Sequence, residues 1–145
     1  MLAKILRFFY LWSPVVLWAG VIYAFSSISN LEVVPGEGDL VLRKLAHLFE
    51  FGFMAVLIDR ALGSGFRLDG KAWFKDNRFY LSMILTILYA LSDEYHQTQV
   101  PTRTGKGTDI LIDSAGAFLG LLFLRASLAF IARNPTVKKL WKSSI

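Results

Sequence analysis

The sequence contains no cysteine. That excludes disulfides, thiolate metal sites and a thiol nucleophile, and it leaves the redox compartment unmarked. Charge is also sparse: 19% of the 145 residues are charged against 54% hydrophobic and 14% aromatic, and the mean hydropathy is +0.48. Such a balance excludes a water-soluble globule. A recognisable nucleic-acid reader motif is missing too, despite a net charge of +5. The Lys and Arg residues stand in short clusters beside apolar runs, where they meet anionic headgroups and set topology. Nucleic acid is therefore not an expected partner. Gly105-Lys106-Gly107-Thr108 lacks the upstream glycine and the preceding strand of a phosphate-binding P-loop, so that motif is rejected as well. What remains is a small integral membrane protein of one domain.

Four apolar runs predict an all-α integral membrane bundle of four transmembrane helices, at about 8–29, 40–62, 79–99 and 109–131, inside a domain spanning 5–131. The first run carries no charge and holds Trp12, Trp18 and Tyr23 where interfacial aromatics sit. Lys4, Arg7 and the small-residue site around Ala24-Phe25-Ser26 imitate a signal peptide, but the run is too long for one. Pro14 is expected to kink this helix or to lie near its first turns. Residues 30–39 hold Pro35, Gly36 and Gly38 and read as a loop, with Asp39 as the N-cap of the second helix. The basic stretch 63–78 is a second loop. The third run, 79–92, has 14 uncharged residues, which cover roughly 21 Å of a ~30 Å hydrocarbon core. Its helix must therefore continue through Asp93-Glu94-Tyr95-His96-Gln97 and stop before Pro101. Thr108 is the expected N-cap of the fourth helix, and 132–145 forms a basic cytoplasmic tail with Trp141 as an interfacial anchor.

Orientation follows from the placement of bases. With the N-terminus inside, 12 of the 16 Lys and Arg residues fall in cytoplasmic segments, whereas 8 of the 11 acids and both histidines fall on the outer side. Both termini are expected in the cytoplasm. On the outer side the polar residues form stripes. Arg43, His47 and Glu50 share one face of the second helix, with Lys44 beside them; Asp93, His96 and Gln97 share a face of the third, next to Glu94; Asp109, Asp113, Gly116 and Gly120 share a face of the fourth. Gly116-x-x-x-Gly120 lets another helix approach closely, so the aspartates on that face are expected to point into the bundle.

A convergence of charges at membrane depth is expensive, at ~2.5–3.5 kcal/mol for each one near a helix centre. A purely structural core could use leucine at lower cost, so the cluster reads as a pocket rather than a tie. Three chemistries suit it. His47, Glu50, Asp93 and His96 present imidazoles and carboxylates that could ligate a divalent metal. The same histidines beside Asp93 and Glu94 could perform metal-free acid–base work. Lys44, Arg103, Lys106 and the start of the fourth helix could instead capture a phosphate or carboxylate.

Arg43-Lys44-x-x-His47-x-x-Glu50, Ser92-Asp93-Glu94-x-His96-Gln97, Arg103-x-Gly105 and Asp109-x-x-x-Asp113-x-x-Gly116 together resemble the VanZ-like family of small bacterial membrane proteins. The resemblance covers about residues 5 to 125. The family's lysine and histidine of the second helix match Lys44 and His47; where many members carry an aromatic after that motif, this chain has Glu50-Phe51. The resemblance implies a multi-pass protein of the bacterial cell membrane, linked through the family's name to resistance against the lipoglycopeptide-type antibiotic teicoplanin. It brings no established catalytic residue and no known cofactor.

The expected function is a cell-envelope protein whose outer pocket binds, and in an extended version processes, an amphiphilic or lipid-linked envelope ligand. Candidate catalytic residues are His47, His96, Asp93 and Glu94, and candidate binding residues are Lys44, Glu50, Gln97, Arg103, Asp109 and Asp113. The partners are membrane lipid and a lipid-linked envelope intermediate or lipoglycopeptide. Alternatives are a metal-dependent membrane hydrolase, a transporter, or a structural or partner-binding protein. Four short helices bury little surface, which leaves room for a homo-oligomer.

Overall fold

A computed structural model describes residues 2–29, 38–65, 72–103 and 105–134, with backbone alone at 64, 65 and 72–76. These residues form four α-helices, α1 (Leu2–Ser26), α2 (Gly38–Gly65), α3 (Ala72–Gln97) and α4 (Gly107–Arg133), and no strand. The loop 30–37, Arg67 and Lys71 of the basic loop, and the tail beyond Asn134 lie outside the described residues.

The helices exceed the apolar runs. α1 begins at Leu2, ahead of the expected start at 8, because Lys4 and Arg7 are good helix formers that carry their charge outward on exposed stems. Pro14 lies well inside this helix. Its missing N–H leaves the Tyr10 carbonyl without the usual donor, and Ser13 Oγ approaches that carbonyl at 3.5 Å. α3 begins at Ala72, seven positions before the expected 79, and ends at Gln97. The charge that argued for a loop there includes Arg78, which has an acid partner across the bundle.

Two expected caps are corrected. Asp39 sits within the first turn of α2, where its carboxylate pairs with Arg43 at 2.8 Å, one turn on. At α4 the cap position is Lys106, in extended backbone with no side-chain cap bond, and Thr108 is already helical. The acceptor for this helix start comes from another element: Glu94 Oε1 of α3 takes the Lys106 N–H.

α2 is the hub, packing against all three other helices, whereas α1 touches α2 and α3 but not α4. Residue pairings such as Ser26 with Asp93, Trp18 with Glu50 and Asp113 with His47 run α2 and α4 in one direction and α1 and α3 in the other. The tightest seam joins α2 to α4 through glycine. A Cβ on Gly116 would strike the Leu48 carbonyl and lie 2.9 Å from Leu48 Cα, and one on Gly120 would lie 2.8 Å from Gly52 Cα. Gly52 in turn faces the Gly116 carbonyl, at 2.9 Å from the position of its own missing Cβ. Backbone therefore rests on backbone at this crossing.

The core is split. Leu11, Val15 and Ile22 of α1 pack on Phe51, Met54 and Ile58 of α2, while Ala55 meets Ala117 and Leu121 of α4. Around it the usual distribution of residues is inverted. Asp59, Asp93 and Asp113 are buried to 3% exposure or less, while Leu17, Leu111 and Phe123 are 70% exposed or more. α1 and α4 are long and apolar enough to cross a membrane.

Candidate functional site

The glycine seam sets the register of the site. With Gly116 against Leu48, Asp113, about a turn earlier on α4, and His47, next to Leu48 on α2, come side by side, and His47 Nδ1 lies 3.2 Å from Asp113 Oδ1. Asp113 is 1% exposed, so this imidazole is its hydrogen-bond partner in a nearly sealed position. The bond orients the ring and leaves Nε2 as the nitrogen available to a ligand.

α3 and α1 close the next wall. Asp93 Oδ2 accepts hydrogen bonds from Ser26 Oγ at 2.8 Å and from Gln97 Nε2 at 2.9 Å. Arg103, on the loop after α3, reaches back to the end of α1, donating from Nε to the Ile28 carbonyl at 3.1 Å and from Nη2 to the Phe25 carbonyl at 3.0 Å. This adds a charged donor to two carbonyls at and just past the C-terminus of that helix, the first of which also accepts the Ile28 N–H at 3.3 Å. Burial and the nearby like charge of Arg43 lower the pKa of Arg103, against the opposing pull of Asp93, Glu50 and Glu94. A guanidinium so placed keeps its charge. The turn that aims it contains Thr102 at φ 70°, the one non-glycine residue with positive φ among those described. A β-branched side chain in that region is strained.

Two cavities result. One, of about 240 Å³, is polar and is lined by Arg43, Lys44, His47, Gln97, Arg103, Lys106 and Asp109, with Leu40, Thr102 and Ile112. The other, of about 250 Å³, is largely apolar and is lined by Phe25 and Ser26 of α1 and by Leu42, Ala46 and Glu50 of α2. Arg43, His47 and Arg103 line both. Phe25, Leu42 and Ala46 are themselves exposed, so the apolar lobe lies at the outer flank between α1 and α2. Glu50 stands in that lobe, and its carboxylate makes no hydrogen bond or ion pair among the described residues. Arg43 Nε, Asp93 Oδ1 and Glu94 Oε2 are also buried without a hydrogen-bond partner.

The candidates named from sequence do not all converge. Lys44, His47, Gln97, Arg103 and Asp109 share the polar lobe, and Glu50 the apolar one. Asp93 and Glu94 lie behind them, the latter bound to the Lys106 N–H, and Asp113 backs His47. His96 is elsewhere: its ring stacks on Tyr23 at 4.3 Å and its Nε2 lies 3.0 Å from Ser27 Oγ. Among the described residues no group of three or more His, Asp and Glu assembles that could hold a metal ion. Gly116 and Gly120 act through the seam that positions Asp113.

The sequence model of the VanZ/LLP1 family matches residues 3–131. The chain belongs to that family. No curated protein and no solved structure matches it. In this VanZ/LLP1 chain the sequence pattern had pointed to helices 2, 3 and 4, and the contribution of α1 escaped it. Ser26 and Ser27 are ordinary residues at the end of an apolar run, and nothing in their spacing marks them as partners of Asp93 and His96. Arg43 was visible in the second-helix stripe, and its place in both cavities follows from that.

Proposed function

We propose that this VanZ/LLP1 protein is a four-span protein of the bacterial cell membrane, both termini cytoplasmic, whose outer-side pocket binds an amphiphile with an anionic head. The carrying observation is a pair of lobes that share Arg43, His47 and Arg103 in their walls. A lobe rimmed by Arg43, Lys44, Arg103 and Lys106 suits a phosphate-bearing head, and an adjoining apolar lobe at the α1–α2 flank suits the first part of a lipid tail. A lipid-linked envelope intermediate has both parts, and so does a lipoglycopeptide. Binding either one would link the protein to the cell envelope and to teicoplanin resistance.

Native mass spectrometry of protein released from mild detergent tests this directly. Wild type is expected to retain a phospholipid or isoprenoid-type mass that Arg103→Gln and His47→Ala lose. A bare wild-type protein, or equal retention by all three, would sink the proposal and favour a structural or partner-binding role.

His47 supports a second, catalytic reading. Asp113 fixes its Nδ1, and its ring borders both lobes, as a general acid–base group must. On this reading His47→Gln abolishes turnover of the retained ligand while leaving retention within about twofold.

A further inference from the structure

A second charged cluster lies at the other end of the bundle. Asp59 follows His47 by twelve positions on α2, which places it ~18 Å further along the helix. It is 2% exposed. Its Oδ1 accepts from Arg78 Nε of α3 at 3.1 Å and from Arg125 Nη2 of α4 at 2.8 Å. The two guanidinium side chains are 25% and 38% exposed.

We propose that Arg78 and Arg125, held together by Asp59, form a second anion site that takes the phosphate of an anionic lipid headgroup at the end of the bundle opposite His47. The charge count is the first support. Two cations share one carboxylate, so the triad carries one positive charge in excess, and one further anion balances it. Donor geometry is the second. Each guanidinium has five N–H groups in a rigid fork, and Asp59 engages Nε of one and Nη2 of the other. The remaining donors meet no acceptor among the described residues, and both heads reach the surface. Gly63 supplies a third, independent support. A Cβ there would meet the Arg78 guanidinium, with Cζ only 2.9 Å away, so the absence of a side chain on α2 leaves the space that the guanidinium fills.

The surroundings suit a lipid rather than a soluble ligand alone. Tyr80 of α3 and Leu122 and Phe123 of α4 are exposed near the two arginines in sequence, giving acyl chains an apolar flank. Arg60, stacked over Tyr10 of α1 at 5.6 Å, adds a further cation at the same level of α2. Basic pockets of this kind between membrane helices bind anionic headgroups.

The test uses the full chain in mild detergent with three probes: dioleoylphosphatidylglycerol, dioleoylphosphatidylcholine and inorganic phosphate. Retained mass and the thermal unfolding midpoint are read together. Wild type should prefer phosphatidylglycerol over phosphatidylcholine, and Arg125→Gln and Arg78→Gln should weaken that preference by about tenfold. Arg133→Gln, which removes an exposed base near the same end, should leave it intact. Asp59→Asn raises the local charge by one while keeping an acceptor oxygen, so it should lower the ligand-free midpoint yet strengthen anion retention, a combination that a purely structural tie does not give.

Gly63→Ala keeps every charge and displaces only the flexible end of Arg78, so it reports even if the arginine variants fail to fold; it too should weaken the preference. Stabilisation of wild type, but not of Arg125→Gln, by inorganic phosphate would identify a soluble phosphate as the source of the same chemistry. No preference in wild type, or a preference kept by Gly63→Ala and Arg125→Gln, would overturn the proposal.

Discussion

His47 and Asp113 show how one side chain makes another tolerable. Asp113 is 1% exposed and has the His47 imidazole as its hydrogen-bond partner. Removing the ring strands a buried carboxylate, so His47→Ala should cost ~1–3 kcal/mol in a reversible unfolding assay in detergent, whereas Asp113→Asn, which keeps an acceptor for His47, should cost less. Arg103 makes a different kind of bond, forking onto the Phe25 and Ile28 carbonyls. A lysine has one point charge and no fork, so Arg103→Lys should raise hydrogen exchange at residues 26–29 even though the charge survives. Much of this was legible in the sequence at the level of residue choice, since His47, Arg103 and Asp113 stood out as charges in apolar company. Their pairing was not. Sequence put His47 and His96 in one constellation, yet the stacking of His96 on Tyr23 takes it to a different wall. Side-chain partners separated by 66 or more positions leave no trace in local spacing.

The α2–α4 seam is the element on which the site depends. Gly116→Leu, Gly120→Leu or Gly52→Leu would drive a side chain into facing backbone, which cannot retreat as a side-chain end can. Each should cost more than the ~1–3 kcal/mol of ordinary overpacking and abolish ligand retention together with the His47–Asp113 bond. Gly20 on α1 is the internal control. A Cβ there meets nothing within 4 Å, so Gly20→Ala should leave the fold intact and raise stability by up to ~1 kcal/mol through helix propensity. The small-residue face on α4 is readable as Gly116-x-x-x-Gly120, but Gly52, its counterpart, has Leu48 and Val56 four positions to either side and so forms no such pattern. The starts of α1 and α3 precede the expected ones for a shared reason. Charge beside an apolar run reads as the mark of a loop, whereas Lys4, Arg7 and Arg78 extend helices beyond that run. The Asp59 triad was hidden in the same way, because Asp59-Arg60 looks like a solvated pair and its actual partners lie 19 and 66 positions away.

Across the whole molecule the inverted burial, with acids inside and Phe and Leu outside, argues for a lipid surround, as does the length of α1 and α4. The absence of cysteine makes the topology directly measurable, because each introduced thiol is the only one present. Ser29→Cys should be labelled by a membrane-impermeant maleimide on intact cells, and Asn134→Cys only after the membrane is opened. The reverse pattern would invert the orientation and with it the side on which the pocket faces. One further consequence lies in the order in which the chain is made. α1 leaves the ribosome ahead of α2, α3 and α4, yet anchoring bonds come to it from those later segments: the Trp18 indole needs the Glu50 carbonyl, Ser26 bonds to Asp93, and the Phe25 carbonyl takes Arg103. At ~5–20 residues per second of synthesis, roughly 4–15 s separate Ser26 from Arg103. α1 therefore has to persist first without α2 and then with its end unsealed until Asp93 and Arg103 arrive, and the aromatic residues and the uncharged run from Phe8 onward are what allow it to wait in the bilayer.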